Sequence, residues 1–193
     1  MLNDGKNSRI VLTGGPGAGK SVIGRALAAR FPQRFVLVPE SATHVYTVLN
    51  TRWDRLDLPA RRDVQRRIYQ NQIEQEQRIA AAHPQRILLL DRGTIDGAAY
   101  WPEGAADYWR DLGTTHEAEL ARYDTVVWLE TAAALGIYDG EASNTVRFED
   151  AAGAVTAGKL LLDLWGPHPN LKHVGAFVTL EDKIAAVSEL LIR

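Results

Sequence analysis

The stretch IVLTGGPGAGKSVIGRAL, from Ile10 to Leu27, limits the choice of fold more than any other part of the chain. A short apolar run enters a turn dense in glycine, a lysine and a serine follow, and a helical pattern begins. Gly14, four residues, then Gly19, Lys20 and Ser21 match the G-x-x-x-x-G-K-[ST] spacing of a phosphate-binding loop, or P-loop. Glycines let the backbone adopt positive φ and approach a ligand without Cβ clashes. Successive N–H groups then point inward and form an anion nest. The helix starting near Gly19 adds free donors and the positive end of its dipole. Gly14, Gly15, Pro16, Gly17, Ala18, Gly19, Lys20 and Ser21 are therefore the expected nucleotide-binding residues. Lys20 meets the β- and γ-phosphates, and the Ser21 hydroxyl ligates Mg²⁺. The bound molecule is a nucleoside triphosphate, ATP or GTP.

Alternation of strand and helix patterns carries the fold class. Strands are expected at Ile10–Thr13, Phe35–Pro39, Arg86–Leu90, Thr125–Leu129 and Lys172–Val178. Each is short and apolar on both faces, as parallel strands covered by helices are. Helices are expected at Lys20–Arg30, Ser41–Leu49, Ala60–Ala82, Gly104–Arg122, Ala151–Trp165 and Leu180–Ile192. This order implies an α/β fold, a three-layer sandwich of the mononucleotide-kinase type with a parallel five-stranded sheet. The 193 residues suit one domain, 1–193, with no repeat or clear linker.

Composition excludes several classes. A net charge of −2 gives no overall basic field for nucleic acid. The absence of cysteine excludes disulfides and cysteine-based zinc sites. The five histidines show no metal-ligand spacing. The first residues, MLNDGKNSR, lack an apolar signal core, and no apolar run is long enough to span a bilayer. A cytoplasmic protein without membrane contact is the expectation.

Three further segments carry chemistry. In RILLLDRGTID an apolar run ends at Asp91, at the C-terminal edge of its strand, where open α/β sheets bind ligands. A carboxylate there suits Mg²⁺, as in a Walker B element; its structural alternative is a helix cap. Arg92 projects toward the phosphates or the acceptor. Asp96, on the next helical turns, suits a substrate hydroxyl or favours the helix N-terminus electrostatically. In FVLVPESATHVY, Pro39 stops the second strand and Glu40 follows, expected beside the strand that carries the loop. A carboxylate there can orient or deprotonate an acceptor hydroxyl. The segment from Tyr138 to Gly166 begins with turn residues and becomes helical, so a lid is expected over 131–166. Arg147 is its candidate cation for the transferring phosphoryl group, with Glu149 as ion-pair partner and Lys159 as a second candidate.

The arginine-rich run Arg52–Arg67 is interrupted by acids and leads into QNQIEQEQ. Its apolar stripe of Val64, Ile68 and Ile73 is narrow, so a solvated helix at the rim of the acceptor cleft is expected. Trp53 and Trp101 lie beside loop signals and can stack on a flat substrate group.

Taken together, GGPGAGKS, VPESA, LLLDRGTIDGAAYW, YDTVVWLE and NTVRFED resemble the small AAA-type P-loop domains close to ribosylnicotinamide-kinase and deoxynucleoside-kinase-like proteins. The likeness spans nearly the whole chain. It implies strand order 2-3-1-4-5, Gly14–Ser21 on the phosphates and Asp91 on the metal. It also implies Glu40, Arg92 and Asp96 in the acceptor pocket and Arg147 in the lid. The leading expectation is a phosphotransferase that uses ATP or GTP with Mg²⁺ and a small hydroxyl acceptor, nucleoside-like ones included. The alternative is a regulatory NTP-dependent switch acting on a protein partner. No Asn-Lys-x-Asp guanine-reading element supports that alternative, and no residues remain for the extra helical domain of a ring-forming motor.

Overall fold

The first strand, β1 (Arg9–Thr13), leads into the glycine-rich turn and α1 (Lys20–Arg30). β2 (Phe35–Val38), α2 (Ser41–Val48) and the long α3 (Leu58–Ala82) follow. Next come β3 (Ile87–Asp91), α4 (Ala105–Leu112), α5 (His116–Leu120) and β4 (Thr125–Leu129). The chain closes with α6 (Ala151–Trp165), β5 (Leu171–Val174) and α7 (Leu180–Ile192). Short 3₁₀ turns stand at Trp53–Arg55, Thr94–Tyr100 and Ala132–Leu135. The structure is a computed structural model and describes residues 7–136 and 151–192.

All five strands are parallel, in the order β2-β3-β1-β4-β5. Aliphatic side chains alternate across the sheet and fill both faces. Val11, Leu88, Leu90 and Val126 pack on one side with Tyr108, Leu120, Tyr123 and Trp165. Ile10, Leu12, Leu89, Val127 and Leu129 pack on the other with Ile23 and Leu27 of α1 and Val187 and Leu191 of α7. Two-sided burial gives the three-layer sandwich. Each fully buried aliphatic contributes about 1.5–3 kcal/mol.

β5 ends at Val174 and not at Val178, and three helix expectations shift for local reasons. A single helix over 104–122 is not formed: Gly113 ends α4 in the left-handed region (φ 67°), and Thr115 caps α5 by accepting the Ala118 N–H. α3 starts two residues early because Asp57 caps it, its Oδ1 accepting the Ala60 N–H at 2.9 Å. α3 also buries a polar face, with Gln65, Gln72, Gln75 and Glu76 inside, where a solvated helix was expected. Gln72, Gln75 and Glu76 satisfy one another together with Ser41 of α2. Ser41 Oγ donates to Gln72 Oε1 (2.8 Å), Gln75 Nε2 to Ser41 Oγ (2.9 Å) and Gln72 Nε2 to Glu76 Oε1 (3.0 Å). Arg122 closes the chain on Glu76 at 3.0 Å. Pairing of this kind offsets the desolvation cost of burying polar groups.

Candidate functional site

The turn after β1 is shaped for close approach. Gly14 sits at φ 136°, and a Cβ there would lie 2.1 Å from the Leu129 carbonyl oxygen. At Gly15 a Cβ would meet the Ala154 oxygen of α6 at 2.4 Å. No side chain caps α1, which leaves its first-turn N–H groups to the loop. Lys20 is buried and donates from Nζ to the carbonyls of Gly14 (2.8 Å) and Gly15 (2.9 Å).

Asp91 ends β3, in register with Leu12 of β1. Burial pushes its carboxyl above the ordinary range, and the Glu40 charge adds to this. Lys20, the nearby Ser21 side chain and Arg92 pull the other way. Its Oδ1 is buried without a hydrogen-bond partner. Ser21 and Asp91 are thus brought together, and an orphaned carboxylate oxygen beside a hydroxyl fits a hard divalent cation. Among the described residues no cluster of three or more His, Cys, Asp or Glu could hold a metal. Mg²⁺ commonly needs only one or two protein oxygens beside substrate phosphates and water.

The residue after Asp91 organises the neighbouring cavity. Arg92 adopts φ 78°, a left-handed conformation that costs a non-glycine residue about 1–3 kcal/mol. Its Nε donates to Glu40 Oε1 at 2.7 Å, and its Nη1 to Asp96 Oδ2 at 2.7 Å. Burial opposes its charge, but Tyr100, Asp96 and Glu40 outweigh this and hold the guanidinium protonated. Nη2 is buried without a hydrogen-bond partner. Asp96 is also fixed by Thr13 Oγ1 (2.9 Å) and by Trp165 Nε1 of α6 (2.8 Å). Thr43 Oγ1 donates to the second Glu40 oxygen at 2.7 Å.

Glu40, Arg92 and Asp96 line a cavity of about 300 Å³. Tyr46, Trp53, Ile68, Tyr69 and Tyr100 supply much of its apolar wall, and Gln65 stands at it from α3. Trp53 therefore lies where a flat group can stack. Trp101 does not: it is buried in the core, its Nε1 donates to Asp107 Oδ2, and Arg62 lies over its ring. Glu40 is not beside the strand that carries the loop, because β3 stands between β2 and β1. Asp91 occupies that middle position. Arg147, Glu149 and the centre of the expected lid lie outside the described residues, and Lys159 is exposed on α6.

Sequence reasoning missed Gln65, Tyr46, Tyr69 and Tyr100 as cavity residues. The available signal was the i, i+3, i+4 set Gln65, Ile68 and Tyr69, which puts a mixed polar and apolar stripe on one face of α3.

A family model described as an AAA domain matches residues 9–182. No curated protein matches the sequence. Among solved structures, thymidylate kinase from Candida albicans superposes with a TM-score of 0.67 at 15% identity, covering 97% of this chain and 92% of that one. NadR protein in complex with NAD and AMP-PNP gives 0.65 at 18% identity, and NadR in complex with NR gives 0.65 at 19%. Both NadR comparisons cover 95% of this chain and 49% of the other, so this chain spans about half of NadR's length. At these identities the likeness is one of fold.

Proposed function

We propose that this chain, which belongs to the AAA domain family, transfers the terminal phosphoryl group of ATP or GTP to a hydroxyl of a small molecule held in the cavity beside Glu40. The observation that carries this reading is the open, acceptor-sized cavity with a buried carboxylate–guanidinium pair on its wall. A switch acting on proteins has no need of such a space.

In this reading Gly14–Ser21 hold the triphosphate, and Lys20 exchanges its carbonyl partners for phosphate oxygens. Ser21 and Asp91 would hold Mg²⁺, which would supply neutralisation of charge on the phosphates. Glu40 accepts the proton of the acceptor hydroxyl as its oxygen attacks the γ-phosphorus and the bond to the leaving diphosphate breaks. Arg92 holds Glu40 in place, and its unpartnered Nη2–H offers a donor to a phosphoryl or acceptor oxygen. Asp96, through its bonds to Arg92, Thr13 and Trp165, fixes that guanidinium from behind. Arg147 is retained as the lid cation within 131–166 of a single domain, 1–193.

The cavity also informs the acceptor class. Glu40 and Asp96 against Arg92 leave a net negative wall, which disfavours an acceptor already carrying phosphate. The aromatic residues suit a flat ring, as in a nucleoside-like molecule. NadR's complex with NR is compatible with a small acceptor of this kind, whereas the acceptor in the name thymidylate kinase already carries a phosphate. A screen of nucleosides, their monophosphates and other small alcohols with γ-labelled ATP and GTP tests the proposal. Label should pass to a neutral or cationic ring-bearing alcohol. Hydrolysis alone, with no acceptor labelled, would count against it.

A further inference from the structure

The P-loop works only if its N–H groups face inward, and that requires its carbonyls to face outward. A carbonyl turned outward into protein must find a donor. Five of the loop's carbonyls do so. Gly14 and Gly15 are held by Lys20, and Gly19 accepts the Ile23 N–H within α1. The other two bonds come from far along the chain. Thr131 Oγ1, just after β4, donates to the Pro16 carbonyl at 2.7 Å. Lys183 Nζ, on α7, donates to the Ala18 carbonyl at 2.9 Å and also to the Glu130 carbonyl. Thr131 and Lys183 are only 4% and 5% exposed. Neither belongs to the P-loop motif or to the acceptor cavity.

We infer that Thr131 and Lys183 are positioning residues that hold the phosphate loop open from behind. This rests on the nucleotide-binding reading of Gly14–Ser21. Lys183 joins Ala18 of the loop to Glu130 of the β4 end, and Thr131 joins that same end to Pro16. The two side chains thus form a bracket between α7, β4 and the loop. Lys20 cannot replace them, because a bound phosphate draws it away from the loop's carbonyls. The Lys183 ammonium also sits behind the anion nest, where its charge favours a polyanion. Without the bracket the Pro16 and Ala18 carbonyls lose their donors and are free to rotate toward the ligand, which opposes phosphate binding.

Titration of the full chain with mant-ATP and mant-GTP in the presence of Mg²⁺, beside thermal melts, tests the inference. Lys183→Met keeps the apolar stem and removes the donor, and it should weaken triphosphate binding about tenfold or more. Thr131→Val should weaken it several-fold, while Thr131→Ser keeps the hydroxyl and should bind as the unaltered chain does. Val187→Ala, in the core of the same helix, should lower the melting temperature and leave affinity unchanged. Should Lys183→Met fail to fold, the Thr131 pair still decides. Equal affinity for Thr131→Val and Thr131→Ser, or normal affinity in a folded Lys183→Met protein, overturns the bracket. Absence of binding by the unaltered chain overturns the nucleotide reading itself, and the bracket falls with it.

Discussion

Glu40→Gln separates phosphoryl transfer from nucleotide binding. The side chain keeps its shape and its position against Arg92 Nε and Thr43 Oγ1, but it can no longer accept a proton. Arg92 retains Asp96 as a charged partner, so the guanidinium is not abandoned in the interior. The lost charge assistance on one 2.7 Å bond should cost about 1–2 kcal/mol of stability. In a domain of this size that corresponds to a melting point lower by roughly 2–8 °C. Transfer to the acceptor should fall about 10²–10⁴-fold, the range for a positioned acid–base group, or roughly 3–5 kcal/mol of transition-state stabilisation. Triphosphate affinity should stay nearly constant, because no phosphate contact is removed. Parallel kinetics of acceptor phosphorylation and of background hydrolysis, with mant-ATP titration, make the test. Small and equal losses in both rates would refute the catalytic role and leave Glu40 as a helix-start residue. A strong loss of nucleotide binding would refute the assignment of Glu40 to the acceptor side.

Lys20→Ala should weaken triphosphate binding or turnover sharply, which calorimetry and steady-state assays can read; unchanged values in both would remove the P-loop assignment. For Asp91 the folded carboxyl is raised, so its contribution to stability is favourable below the ordinary carboxylate value of 3.8 and is lost as pH rises through the folded value. At pH 7 Asp91→Asn should therefore melt no lower than the unaltered chain without metal, yet lose Mg²⁺-dependent activity; a large thermal loss would favour a capping role instead. Burial lowers Lys183 to about 8 from an ordinary 10.5, against the pull of Glu130. Between those values the unfolded chain holds the proton and the folded chain does not, so this residue adds stability as pH rises through that window. The melting temperature of the unaltered chain relative to Lys183→Met should accordingly climb from pH 8 to 10, and a flat difference would contradict the shift.

The elements that periodicity dictates were legible. β4 and α1 stand where their apolar patterns put them, because a strand buried on both faces and a helix after a P-loop have few alternatives. The break at Gly113 was overlooked because polar residues on both sides preserved a helical rhythm. The interior of α3 was illegible for a different reason. Glutamine reads as solvent-facing until its partner is known, and Ser41, Gln72, Gln75 and Glu76 come from two separate helices. The cavity residues suffered likewise: Asp91, Arg92 and Glu40 have strand-end addresses, whereas Tyr46, Tyr69 and Tyr100 meet only in three dimensions. Thr131 and Lys183 carry no local signature, since their acceptors in the loop are backbone carbonyls more than a hundred residues away.

The strand between β2 and β1 acts as a gauge block. Leu12 lies opposite Asp91, and Leu90 opposite Val38, so the ends of three strands stand side by side. Neighbouring strands are held about 4.8 Å apart by backbone hydrogen bonds. The root of the phosphate loop and the strand leading to Glu40 are therefore separated by about 10 Å, with Asp91 midway. That interval is set by peptide geometry, and no exchange of side chains in the sheet can shorten it. Tolerance in such a machine falls on the reach of the side chains that bridge it. A carboxylate one methylene shorter at position 40 falls short by about 1.5 Å, and the sheet cannot move to meet it.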